Sequence, residues 1–323
     1  MNLSASTCHP LRIVSLIPSA TEIVDALGLA GCLVGRSHEC DYPPAVKSLP
    51  ICTAPKFDPV GDSGTIHQRV TDLLTSALSV YRVNLEVLET LRPTHILTQA
   101  QCEVCAVNLA DVEAAAAQLT GSQPQIISLE PTCLADVWAD IEQVGLALGN
   151  EQTAAVVAGL QSRVQACTTQ AAACGPKPTV ACIEWIEPLM AAGNWVPELV
   201  QLAGGTSLFG TPGQHSPWIS WEDLIAADPE IIVIMPCGYD LAVTRREAQT
   251  LTHHAGWSAL KAVRQGHVYL VDGNQYFNRP GPRLVESLEI LAEIFHPEVF
   301  GTGHRRLGWE PWRCHGPDHD EQL

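Results

Sequence analysis

Residues Leu134–Ala173 read LADVWADIEQVGLALGNEQTAAVVAGLQSRVQACTTQAAA. These forty residues contain no proline, and only Gly145, Gly149 and Gly159 weaken them as helix formers. Val137, Ile141, Val144 and Leu148 recur at the spacing of one apolar helix stripe. A helix of that length spans about 60 Å at ~1.5 Å per residue, more than one small domain needs. The stretch therefore predicts a backbone helix bridging two lobes, with Gly149-Asn150 its natural point of breakage. Trp138, inside it, is expected in the core.

Outward from this helix, both flanks alternate short β-branched runs with helical patterns, which implies mainly parallel sheets. Before it, strands are expected at Ile13–Leu16, Leu33–Gly35, His95–Thr98 and Gln125–Ser128. Ser19-Ala-Thr-Glu22 has the form of a capping box opening a helix that Gly28 ends. Further helices are expected around Glu86–Leu91 and Ala110–Leu119. After it, strands fall at Thr179–Ile183, Ile231–Met235 and Val268–Val271, with helices at Val196–Leu202, Trp221–Ala226 and Arg283–Phe295. The expectation is α/β: an N-terminal lobe over 1–131, a connecting helix over 132–175, a C-terminal lobe over 176–300 and a partly ordered tail over 301–323, with a ligand cleft between the lobes.

Composition narrows the function. The net charge is −17 with a pI near 5.0, and the only basic pairs are Arg245-Arg246 and Arg305-Arg306. A duplex-binding face needs clustered cations, so nucleic acid is not the expected partner. No run of apolar residues is long enough to span a membrane. The N-terminus, MNLSASTCHPLRIVSLIP, lacks the basic start and apolar core of a secretion signal, so a cytoplasmic location is expected. In that setting the twelve cysteines read as free thiols or metal ligands rather than disulfides.

Several segments stand in matching order with a known family. These are Arg12-Ile-Val-Ser-Leu-Ile-Pro-Ser-Ala-Thr-Glu22, Cys40-Asp-Tyr-Pro-Pro44, Asn84-Leu-Glu86 through Arg92-Pro-Thr-His-Ile-Leu97, Leu202-Ala-Gly-Gly205 and Asp228-Pro-Glu-Ile-Ile-Val233. Over about residues 11–297 the chain resembles the helical-backbone periplasmic binding proteins of ABC importers, in particular their cobalamin-binding branch. The resemblance implies a non-catalytic protein holding a corrinoid such as cobalamin, or a ligand of similar size. The family docks on its permease through a glutamate on each lobe. The first position falls on Glu86 and the second on Gln201, which cannot make that ion pair, so permease docking is not expected here.

Other residues exceed what a generic binding protein needs. His38, Glu39 and Cys40 follow the second strand, and Cys102-x-x-Cys105 follows the third. His38, Cys40, Cys102 and Cys105 form an S/N set suited to zinc, which supports an alternative reading as a metal carrier or metalloenzyme. An iron–sulfur cluster usually takes four thiolates. No G-x-S-x-G, P-loop or G-x-G-x-x-G is present. Ligands of open α/β sheets bind beyond the carboxyl ends of the strands. That rule selects His38, Glu39, Cys102, Glu184, Trp185, Trp195, His215 and Trp218 as the expected ligand-binding residues, the indoles supplying flat contact area. Arg279 and Arg283 are suited to an anionic ligand group or to the chain's own acidic surface.

Overall fold

The computed structural model describes residues 10–76, 80–100 and 109–313. The chain divides into two compact units. The first runs to Pro59 and resumes over Gln68–Pro131 and Ala135–Ala158; the second takes Val60–His67, Thr132–Leu134 and the chain from Gly159 onward.

The first unit begins with β1 (Ile13–Ser15), α1 (Pro18–Ala26) and β2 (Leu33–Arg36). After β3 (Thr53–Pro55), α2 (Ser63–Ser76) starts among the residues of the second unit and ends in the first. Then come β4 (Tyr81–Val83), α3 (Leu85–Leu91), β5 (His95–Gln99), α4 (Leu109–Ala117), β6 (Gln125–Leu129) and α5 (Leu134–Ala147). The sheet order is β2-β1-β5-β6 and every pairing is parallel. Ile13, Val14, Ile96 and Leu97 are fully buried, as expected for a parallel sheet covered on both faces. β3 and β4 form a separate antiparallel pair. Strands of three residues carry too little periodicity to be read from sequence, and neither was anticipated.

The capping box expected at Ser19–Glu22 does not form. Pro18 takes the first helical position, with Ile17 extended before it and offering no side-chain cap. Proline's fixed φ and missing N–H suit that position, so the helix starts earlier than the hydroxyl pattern implies. Ser19 and Glu22 lie inside α1 and are buried.

The forty-residue stretch is two helices, not one. α5 gives way to α6 (Thr153–Ala172) at Gly149, which sits in the left-handed region at φ +66°. Asn150 N donates back to the Gly145 carbonyl at 2.8 Å, closing α5. The Asn150 side chain then accepts from Gln152 N at 2.9 Å and donates to the Leu27 carbonyl at 2.8 Å. The break is thus a built turn, and α6 carries the chain into the second unit. Trp138 on α5 is half-buried rather than core.

The second unit contains β7 (Thr179–Trp185), β8 (Met190–Ala191), α7 (Val196–Leu202), β9 (Thr206–Ser207), α8 (Trp221–Ala227), β10 (Ile231–Ile234), α9 (Leu241–Ala248), α10 (Lys261–Gln265), β11 (Val268–Val271), α11 (Leu284–Phe295), α12 (Pro297–Phe300) and β12 (Trp309–Pro311). The sheet order is β12-β11-β10-β7-β8, with β9 also on β7. β7, β10, β11 and β9 pair in parallel, while β8 and β12 are antiparallel. All four residues of β10 are buried. α8 opens on the capping box that Ser220 and Asp223 make.

β12 lies within the stretch expected as a partly ordered tail, of which the structure describes residues 301–313. The Trp309 indole N–H donates to buried Glu293 at 2.7 Å, and Trp312 packs in the core with Trp257 and Leu270. Arg245 binds Glu310 with two nitrogens at 2.8 and 2.7 Å. Two buried indoles three positions apart outweigh the polar composition around them, so the chain through Arg313 is part of this unit. No helix among the described residues is long and apolar enough to cross a membrane.

Candidate functional site

In the first unit the chemistry gathers after β2. Arg36, itself buried, turns its guanidinium onto the loop that follows, donating to the carbonyls of Ser37 at 2.9 Å, Cys40 at 3.2 Å and Lys47 at 3.1 Å. This fixes His38 and Glu39 at the carboxyl edge of the sheet. Thr53 on β3 holds His38 twice, through the backbone N–H at 3.1 Å and through Nδ1 at 2.7 Å. The Tyr81 hydroxyl donates to Glu39 Oε1 at 3.2 Å, and its ring tilts against the His38 ring at 5.2 Å. Burial, with the Arg36 charge behind it, lowers the His38 pKa and favours neutral imidazole. Thr53 and Tyr81 therefore belong to this cluster, although neither was anticipated; their strands are too short to announce them.

Cys40 faces inward. It is buried, and its sulfur accepts from the Thr21 hydroxyl at 3.0 Å. Cys102 and Cys105 lie outside the described residues. Among the described residues no group of three or more His, Cys, Asp or Glu side chains is arranged to hold a metal ion.

In the second unit the corresponding edge lies at the end of β7. Ser216 is the organising residue: its hydroxyl donates to Glu184 Oε2 at 2.8 Å and accepts from Gly193 N at 3.1 Å. Only glycine fits there, because a Cβ on residue 193 would meet Ser216 N at 2.5 Å and Gln214 O at 2.6 Å. Trp185 donates through its indole to the Glu187 carbonyl at 3.0 Å and lies 5.5 Å from the Tyr239 ring. Trp218 is 57% exposed and meets His67 edge-on at 5.5 Å. His215, three residues earlier, is exposed.

Trp195 differs from the other indoles of this edge. It is buried in the core, with its N–H given to the Phe277 carbonyl at 2.6 Å. Arg279 and Arg283 are buried as well. Arg279 donates to Asn274 Oδ1 at 2.9 Å, and Arg283 lies over the Tyr276 ring at 5.4 Å. Tyr239, whose ring faces Trp185, was not anticipated. Its hydroxyl is buried without a hydrogen-bond partner among the described residues, and burial, reinforced by Glu247, raises its pKa.

The periplasmic binding protein family pattern matches residues 13–274, most of the chain and both edges just described. The chain belongs to the periplasmic binding protein family. Its relatives include an uncharacterised ABC transporter substrate-binding lipoprotein of Bacillus subtilis, 25% identical over 90% of this chain and 82% of that one. A vitamin B12-binding protein of Photorhabdus laumondii is 24% identical over 88% and 87%. Among solved structures, the periplasmic vitamin B12-binding protein of Vibrio cholerae superposes with a TM-score of 0.62 at 23% identity, covering 88% of this chain and 96% of that one. A periplasmic heme-binding protein of Roseiflexus superposes at 0.67 and 23%, covering 90% and 100%. The α/β fold is thus shared with these solved structures.

Proposed function

We propose that this periplasmic binding protein homologue binds a corrinoid, or a tetrapyrrole of similar size, without transforming it. The observation that carries this reading is the match to vitamin B12-binding proteins along 88% of the chain. The strand ends support it. In the first unit they present an imidazole, a carboxylate and a phenol; in the second, two accessible indoles, Trp185 and Trp218. Flat aromatic area with a few fixed polar groups suits a large planar ligand. Titrating the full chain with aquocobalamin and with ferric protoporphyrin by calorimetry tests this. One saturable site for either is expected, and no heat with both defeats the reading.

Glu86 and Gln201 are both exposed, on α3 and α7. With an amide where a second docking carboxylate would stand, the binding reading does not include coupling to a permease. Stimulation of a corrinoid importer's ATPase by the loaded chain would overturn that part.

A further inference from the structure

Thr53 Oγ1 has one proton, and Ser37 Oγ at 3.1 Å is an acceptor for it. The oxygen's lone pairs are left to accept, one from the His38 backbone N–H at 3.1 Å and one from the His38 ring at 2.7 Å. In the tautomer that donates from Nδ1 to Thr53, Nδ1 carries the imidazole hydrogen. The lone pair of the neutral ring then sits on Nε2. Glu39 Oε1 is 3.9 Å from Nε2, beyond hydrogen-bond reach, and already accepts from Tyr81. The His38 side chain keeps 23% of its surface exposed.

A histidine tied through one ring nitrogen to an oxygen and bare at the other has the form of a metal ligand with its outer partner in place. It cannot hold a free ion, since no group of three or more candidate ligands surrounds it among the described residues. It can complete a metal that four equatorial nitrogens already hold.

We propose that His38 Nε2 is the axial ligand to the metal of the bound tetrapyrrole, cobalt or iron. The inference rests on the tetrapyrrole reading above and sharpens it to a metallated ring with an exchangeable axial water. The Nε2 lone pair forms the nitrogen–metal bond, the metal–water bond breaks, water leaves to solvent, and no electron is transferred. Thr53 is the positioning residue, because it fixes the tautomer.

The test uses the full chain with three probes: aquocobalamin, ferric protoporphyrin IX and metal-free protoporphyrin IX. Tryptophan quenching reads binding, and visible absorbance reads the axial exchange. The spectrum of one metallated probe should move from the water-ligated to the nitrogen-ligated form, and that probe identifies corrin or porphyrin as the ring. His38→Ala should bind it at least about tenfold more weakly and leave the water-ligated spectrum, with added imidazole restoring the shift. Thr53→Val should lose about tenfold for the metallated probe and nothing for the metal-free one, a split that a merely structural threonine would not produce. Quenching with an unshifted spectrum, or the same shift in His38→Ala, overturns the axial role and leaves tetrapyrrole binding standing. No quenching by any probe overturns both.

Discussion

The indole N–H of Trp195 and the carbonyl of Phe277 meet at 2.6 Å in the core of the second unit. Phe277 is fully buried, so its carbonyl would have no ready substitute donor. Trp195→Phe keeps most of the apolar volume and strands that acceptor, which costs about 1–3 kcal/mol. Trp195→Ala adds a cavity and should cost about 3–5 kcal/mol. Urea unfolding measures both, and an unchanged midpoint in either variant would mean the indole is not structural.

Trp218 should behave in the opposite way. More than half of it is exposed, and its ring meets His67 edge-on. Trp218→Ala should leave stability within about 0.5 kcal/mol. It should weaken ligand binding by about 2 kcal/mol if it anchors the ring. Calorimetry with aquocobalamin and ferric protoporphyrin reads the second effect, and unaltered affinity would remove Trp218 from the site.

Arg36 makes the loop after β2 what it is. Its guanidinium satisfies the Ser37, Cys40 and Lys47 carbonyls, and hydrogen bonds to a charged donor are worth ~1.5–3 kcal/mol each. Arg36→Met fills similar volume but orphans all three, so a loss of about 3 kcal/mol or more is expected in urea unfolding. Arg36→Lys, a point charge without the fork, should recover only part of it. Full recovery by lysine would show that charge alone matters.

Sequence periodicity placed the four strands of the first unit's parallel sheet and the three central parallel strands β7, β10 and β11 of the second, because continuous β-branched runs such as Ile231–Ile234 are buried on both faces. It missed β3 and β4, whose three-residue length carries no period, and so missed Thr53 and Tyr81. A buried and an exposed tryptophan look alike in sequence: Trp195 and Trp218 were given one role, yet the first is tied into the core and the second is open. Which indole is free depends on whether a carbonyl such as that of Phe277, 82 residues away, comes within reach. Tyr239 followed no pattern at all; the turn after β10 delivers it.

Asp140 predicts a pH dependence with a definite sign. It lies on α5 at 6% exposure, and its Oδ2 has no hydrogen-bond partner among the described residues. Burial, reinforced by the Asp136 and Glu130 charges and only partly offset by a backbone N–H from Glu130, lifts its pKa from 3.8 to about 7. The folded state therefore holds this proton more tightly than the unfolded chain does. The penalty is absent below the ordinary carboxylate range, grows as pH rises toward about 7, and is constant above it. Each tenfold change in proton affinity is worth ~1.4 kcal/mol, which caps the effect at ~4 kcal/mol. Half-buried His38, His95 and His296 act the other way. Desolvation lowers their pKa values, so their contribution is gained as pH rises toward the ordinary histidine value. The wild-type profile thus mixes two slopes below neutrality, and the clean quantity is the difference from Asp140→Asn. That variant keeps the shape of the side chain and cannot ionise. It should equal or trail the wild type at about pH 4, overtake it through neutrality, and hold a constant advantage above about pH 8. Urea midpoints across that range decide the matter: parallel profiles for the two proteins would show that Asp140 ionises in the fold as freely as in water.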